Sequence, residues 1–331
     1  MMFDIVTIGS ATKDNYLKSK ELRVSHGNKF LTGEGVCMNL GSKIEVDEMI
    51  LETGGGGTNT AVSFSRFGLK TAVICKIGKD TPGLHIARML KDEKVSTRFV
   101  KVTDRYNTGY STIISMSTGQ RTILVHRGAN TNLTEKDIDF KNLKTRWMYI
   151  APLSGDCKEL LIKLVTFAKR NSIKVAINPS KLVLKSMPSY VLRNVNLLIL
   201  NREEASILTG IKYDDEDKIF EKLCNLTSGF VVMTDGKKGA IVCDGYFKYT
   251  CNSPKVKVID TLGAGDAFGA GFTAGMIKTN DVEQAIYLGI MNAVSVIQHY
   301  GAKPGLLRLK DVNRCINLLK KIKIKKGKVK L

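Results

Sequence analysis

Asp266 follows a Gly-Ala-Gly turn in the run Val258-Ile259-Asp260-Thr261-Leu262-Gly263-Ala264-Gly265-Asp266-Ala267-Phe268-Gly269-Ala270-Gly271-Phe272, an order of residue types that suits phosphoryl transfer. A strand-like run enters the turn, and the turn opens a helix whose Ala267, Ala270, Gly271 and Ala274 let another element pack closely. Backbone N–H groups at such a start, unshielded by side chains, form a cradle for an anion. In the first turn the helix dipole favours the ionised form of Asp266, within reach of a hydroxyl presented to a cradled phosphoryl group. Cradle and base together are the apparatus of phosphoryl transfer. Taken alone, the segment also fits a plain Gly-rich turn with an acidic helix cap. Gly269-x-Gly271-x-x-Ala274 matches a dinucleotide fingerprint but falls inside the expected helix. The chain holds no GxxxxGKS or GxxxxGKT nucleotide loop.

A second glycine-rich segment, Gly54-Gly55-Gly56-Gly57-Thr58-Asn59, precedes the helix-like Thr60–Phe67. Four glycines let the backbone come close to a ligand, and Asn59 can both donate to and accept from hydroxyls. A flexible hinge explains the same glycines equally well.

Short β-branched and apolar runs at Phe3–Gly9, Thr71–Gly78, Met148–Pro152, Val175–Asn178, Leu197–Asn201, Phe230–Thr234 and Ala240–Cys243 read as buried strands. Amphipathic stretches such as Pro82–Lys94, Cys157–Asn171 and Asp215–Thr227 lie between them, which implies an α/β fold with a mainly parallel sheet covered on both faces. Two segments break the rhythm, about 14–53 and 98–126. The second alternates polar and apolar residues around Ser117-Thr118-Gly119-Gln120, as a hairpin with one wetted face would. Together they predict a small antiparallel lid made of two insertions into one folding unit spanning 1–319.

Lys plus Arg exceed Asp plus Glu by 20, which suits nucleic acid, an anionic surface or a small anionic ligand. Seven of the lysines lie in Lys320–Lys330, read as a solvated basic tail covering 320–331. Seven scattered cysteines with no CxxC pair argue against a disulfide framework or a zinc site and point to a reducing cytosol. His26, His85, His126 and His299 have no metal spacing, and Trp147 and the methionines read as core or rim. The N-terminal stretch has no basic leader, and no apolar run approaches a membrane span, so a cytoplasmic protein is expected. No zinc, RNA-recognition or helix-turn-helix pattern supports a specific nucleic-acid partner.

The two glycine-rich motifs together resemble the ribokinase/pfkB family of carbohydrate and nucleoside kinases, over nearly the whole chain. The closing signature DTxGAGDxFxxGF is met by Asp260 through Phe272, and the opening motif GGxxxN by Gly54 or Gly55 through Asn59, followed by Arg66-Phe67-Gly68 and Ile77-Gly78-Lys79-Asp80. Gly9-Ser10-Ala11-Thr12-Lys13-Asp14 is similar to the family's first strand with its substrate-binding Asp. The resemblance implies a ribokinase-like three-layer αβα core. It makes Asp266 the base and Gly263, Ala264 and Gly265 the anion hole, and gives Asp14, Gly55, Gly56, Gly57 and Asn59 to the substrate. Asn201 and Glu204, in an NxxE motif, would order magnesium and phosphate. Thr234, Gly236 and Gly239 would line the nucleotide-phosphate loop, Gly301-Ala302 would follow the adenine-facing helix, and Asn292 is a candidate for the adenine, although Ile290 falls nearer the usual spacing. Asp260 and the Leu262 carbonyl would line a monovalent-cation site seen in many members, with potassium as the candidate ion, and a plain strand-end cap is the alternative for Asp260.

Departures bear on the substrate. Ribokinases proper carry a Lys where this chain has Gly56, and a sugar-binding Glu where it reads Ala151-Pro152-Leu153. The expected activity is transfer of the γ-phosphoryl of ATP, with Mg2+, to a hydroxyl of a small sugar or sugar derivative; a nucleoside kinase of the same fold is the alternative, and a polyanion-binding protein a more distant one. A phosphorylated sugar fits less well without a Lys at Gly56. Arg127 could reach an anionic substrate group or face solvent, and Lys181 could approach the transferred phosphate or cap a helix end in solvent. Pairing of two lids would make a homodimer.

Overall fold

In the computed structural model of the chain, residues 2–28, 30, 33–115, 121–312 and 320–329 are described. Among them, nine strands form the main sheet, in the order Ile324–Lys328, Phe247–Cys251, Ala240–Cys243, Phe230–Thr234, Leu197–Asn201, Lys174–Ile177, Thr145–Ile150, Phe3–Ile8 and Thr71–Ile74. The six from Thr71–Ile74 to Phe230–Thr234 pair in parallel, and the other three add on antiparallel. Both faces are covered because successive strand residues serve opposite sides. In Thr145–Ile150, Met148 and Ile150 join a core with Leu160 and Leu164 of the helix Lys158–Arg170, while Trp147 and Tyr149 join one with Phe268 and Phe272 of the helix Ala264–Thr279. Lys158–Arg170 buries Leu160, Leu161, Leu164, Val165 and Ala168, the spacing of one helical stripe.

The two insertions meet as a four-stranded sheet ordered Arg121–His126, Gly109–Ser115, Thr12–Lys18 and Glu48–Gly54. Its outer pairs are antiparallel and the central pair, which joins the insertions, is parallel. The expected hairpin turn at Ser117–Gln120 lies outside the described residues, but its arms pair from Ser115 opposite Arg121 to Tyr110 opposite His126.

Three local readings change. The run Thr71–Gly78 divides, because Lys76–Gly78 leaves the main sheet to pair with Lys101–Thr103. Val258–Asp260 is not a strand: Val258 and Ile259 are exposed, and the N–H groups of Ile259 and Asp260 donate to the Ile297 carbonyl. The basic segment is not a free tail. Ile324–Lys328 pairs with Phe247–Cys251, Ile322 is buried, and the Lys326 ammonium stands 4.1 Å from the Phe247 ring centre. Lysine-rich sequence suits an outermost strand, whose charge discourages further pairing. Among the described residues no helix is long and apolar enough to cross a membrane, and the described cysteines are all free.

Candidate active site

The helix Ala264–Thr279 begins at Gly263, whose φ is 77° and whose added Cβ would lie 2.4 Å from the Ala302 Cβ, so this corner requires glycine. No side chain caps the start; the Ala264 N–H donates to the Thr261 carbonyl (3.3 Å) across the turn. Asp266, in that turn, accepts a hydrogen bond at Oδ2 from Asn59 Nδ2 (2.8 Å) and stays partly exposed. Burial pushes its carboxyl above the ordinary carboxylate range, against the pull of the Asn59 hydrogen bond and the Lys303 charge. Desolvation therefore dominates the ionised tendency expected from the helix start alone.

The four glycines do not form a hinge. Gly56 and Gly57 open the buried helix Gly56–Arg66, and the Gly57 N–H donates to the Ser10 carbonyl (3.0 Å). A Cβ on Gly57 would stand 2.7 Å from the Gly9 backbone, so glycine lets this helix sit on the end of the strand Phe3–Ile8. Asn59 is one turn into that helix, facing Asp266, and an added Cβ on Gly56 would come 3.3 Å from Asp266 Oδ1. Asp14 approaches from the small sheet. The pairing of Thr12 with Gly54 brings its carboxylate beside the glycines, where it is buried and accepts from Thr12 Oγ1 (2.9 Å). Burial raises the Asp14 carboxyl, and Lys303 opposes that rise.

Asn201 and Thr234 end two neighbouring parallel strands in register. Asn201 Oδ1 accepts from the Glu204 N–H (2.8 Å) and Glu204 Oε2 from the Asn201 N–H (2.9 Å), a reciprocal cap on the helix Arg202–Thr209. Burial raises the Glu204 carboxyl. The turn after Thr234 is tied by Asp235, whose N–H donates to the Gly239 carbonyl and whose carboxylate accepts from Arg202 (2.9 Å). An added Cβ on Gly236 would meet open space. These groups line the carboxyl ends of the parallel strands, where open α/β sheets bind ligands.

The sequence pattern of the pfkB family carbohydrate kinases matches residues 2–308. The chain belongs to that family. It is 28% identical to the ribokinase of Staphylococcus aureus over 293 residues, 87% of this chain and 95% of the relative. It is 25% identical to a deoxyribokinase of Salmonella typhi over 283 residues, 84% of this chain and 92% of that one. The structure of Arabidopsis thaliana ribokinase complexed with ribose and ATP superposes with a TM-score of 0.79 at 23% identity, over 97% of this chain and 99% of that one. As a pfkB family member the chain is a phosphotransferase acting on sugars.

Within this pfkB fold, two expected residues, Asn292 and Asp260, serve differently. Asn292 is fully buried, donates to Ser63 Oγ (2.9 Å) and the Ala267 carbonyl (2.7 Å), and accepts from the Leu307 N–H (3.0 Å). It ties three core segments together and has no group left for an adenine. Asp260 is not open to a monovalent cation. Its Oδ1 meets the Arg121 guanidinium and the Leu262 N–H, its Oδ2 accepts from the Gly301 N–H (3.2 Å), and Arg121 also donates to Thr261 Oγ1 (2.8 Å). A guanidinium from the small sheet already supplies the positive charge, so the residues do not fit the ion. Glu204 spends one oxygen on its helix cap; the other fits a magnesium that takes its remaining oxygens from phosphates and water.

Arg127 faces solvent and donates to Ser154 Oγ (3.1 Å), and Lys181 pairs with Glu203 at the rim (2.6 Å). The sequence reading missed Lys303 and Arg121. A lone lysine inside the otherwise apolar Gly301–Leu307 was the available signal for the first; for the second, at the end of an alternating strand, there was none.

Proposed function

We propose that this chain transfers the γ-phosphoryl group of ATP to a hydroxyl of a small, unphosphorylated sugar or sugar derivative. The observation that carries the reading is the Asp266 carboxylate, held by Asn59 beside the uncapped helix start at Gly263. Asp14 and Asn59 orient the acceptor by its hydroxyls. Asp266 takes the proton from the reacting hydroxyl as its oxygen bonds to the γ-phosphorus, and the bond to the β–γ bridging oxygen breaks to release ADP. The N–H groups of Gly263, Ala264 and Gly265 receive the charge on the transferring oxygens. Thr234, Gly236 and Gly239 border the nucleotide phosphates, and Glu204 would hold Mg2+, which neutralises charge between them. The small sheet excludes water, which otherwise competes as acceptor.

Gly56 brings no ammonium to an acceptor phosphate, which supports an unphosphorylated substrate. The exposed apolar residues Met49, Leu51, Leu124 and Val125 of the small sheet support pairing of two copies through the lid. The test is a coupled assay of nucleotide turnover with Mg2+, against pentoses, hexoses, sugar acids, polyols and nucleosides, with ATP and with ADP. Turnover with a sugar and ATP is expected. Activity only with a nucleoside, only with a sugar phosphate, or only with ADP would overturn the corresponding part of the reading.

A further inference from the structure

Lys303 is a lysine buried to 4% exposure that no step above uses. It lies in the loop after the helix Val282–Val296, and its ammonium spends all three N–H donors inside the protein: on the Thr53 carbonyl (2.7 Å), Thr58 Oγ1 (3.0 Å) and Asn59 Oδ1 (2.6 Å). The loop itself is held in place. Arg66 donates to the carbonyls of Lys303 (2.8 Å) and Leu306 (2.9 Å), and the Arg66 guanidinium is anchored in turn by Glu93. The ammonium is thus fixed beside Asn59 by three acceptors.

Its contact with Asn59 has a consequence one bond further on. An amide can turn over and exchange its oxygen for its nitrogen. With Oδ1 committed to Lys303, the Asn59 amide has one orientation, and Nδ2 faces Asp266 Oδ2. Turned over, it would point oxygen at carboxylate oxygen and nitrogen at ammonium, two repulsive contacts in place of two hydrogen bonds. The same ammonium is a positive charge among the carboxylates of Asp14, Glu52 and Asp266; Lys13 also acts on Asp14 and Glu52, the Arg66 guanidinium is a further cation nearby, and the buried Cys75 thiol lies within the field of Lys303.

We propose that Lys303 is the positioning residue for Asp266: it holds Asn59 in the single amide orientation that donates to the carboxylate and offsets the crowd of negative charge around it. The proposal rests on the reading of Asp266 as the base. Burial lowers the Lys303 amine to about 8, while Asp14, Asp266 and Glu52 pull it up. Asp266 meets Asn59, Lys303 and Asp14, and its charge also reaches Tyr149 and Glu204. Loss of the ammonium removes the cation and frees the amide, and both changes favour protonated Asp266.

The test uses full-length protein with 13C-labelled aspartate carboxyls, titrated by NMR, the Asp266 signal being assigned by its disappearance in Asp266→Asn. In Lys303→Met the Asp266 titration should move to higher pH by about one unit or more, and Lys303→Arg should restore most of it. With whichever acceptor the substrate panel identifies, kcat of Lys303→Met should fall roughly 10- to 100-fold while KM for ATP stays within about twofold. An unchanged Asp266 titration in Lys303→Met, even with a lowered melting temperature, would reduce Lys303 to a structural staple and overturn the proposal. Should Lys303→Met fail to fold, Lys303→Gln, which keeps a donor for Asn59 but removes the charge, is read against the same criterion. Because the titration needs no acceptor, it separates failure of this proposal from failure of the base assignment, which full turnover in Asp266→Asn would reveal.

Discussion

Asn59 and Asp266, 207 positions apart in the chain, share one hydrogen bond of 2.8 Å. It ties the first turns of two helices, Gly56–Arg66 and Ala264–Thr279, so the glycine-rich segment and the Gly263 corner meet at one carboxylate.

Replacing Asp266 with Asn should lower kcat about 10²- to 10⁴-fold and leave ATP affinity nearly unchanged, because an amide cannot take the acceptor's proton. The base must be ionised, so turnover is lost as pH falls through its pKa. Burial raises that pKa. The acid limb of kcat/KM should therefore lie above the ordinary range of an aspartate, about 3.9. A full pH profile measures this, and an acid limb at or below that range would remove Asp266 from the role.

Asp14 and Asn59 should separate kinetically. Asp14 touches Thr12 and the glycines but makes no hydrogen bond to Asp266, so Asp14→Ala should raise KM for the acceptor with a smaller effect on kcat. Asn59→Ala removes the proposed acceptor contact and the donor to Asp266 together, and should lower kcat as well. Steady-state kinetics with varied acceptor at saturating ATP distinguish the two, and equal losses in acceptor and ATP affinity would move both residues off the acceptor.

The Arg121–Asp260 pair makes a prediction about salt. With the guanidinium on Asp260, the melting temperature should be the same in KCl and in choline chloride at equal ionic strength. Arg121→Ala leaves the buried Asp260 carboxylate without its cation, at a cost of about 1–3 kcal/mol given that the arginine is partly exposed. Potassium, but not choline, should then recover part of the loss. A potassium-specific gain in the unsubstituted protein would show that Asp260 takes the ion despite Arg121.

Ending the chain after Leu319 deletes the outer strand Ile324–Lys328 and the buried Ile322. Burial of that isoleucine alone is worth about 2 kcal/mol, so the denaturation midpoint should fall. The kinetic constants should stay within about twofold, since the strand joins the edge of the sheet opposite Thr71–Ile74 and pairs with Phe247–Cys251, which holds none of the proposed site residues. Urea unfolding followed by circular dichroism, with the kinetic assay alongside, measures both. A large rise in KM for ATP would tie the strand to the nucleotide.

The sequence by itself determined what is local. The β-branched runs become the parallel strands because a strand covered on both faces must be apolar throughout, and Lys158–Arg170 shows its stripe because one helical face is buried. The turn at Gly263 and the position of Asp266 after it are legible for the same reason: a glycine corner and the helix it opens are made from consecutive residues. The tertiary structure alone decided which distant groups meet. Lys303 reaches Asn59 across 244 positions and Asn292 reaches Ser63 across 229, and no pattern of period two or 3.6 encodes such pairings. The lysine enters the site because three acceptors satisfy its ammonium there, and the asparagine leaves it because three partners in the core consume its amide. Arg121 closes on Asp260 only because the small sheet brings its strand over that loop. A buried polar group goes where its partners are, and those partners exist as a set only once the chain has folded.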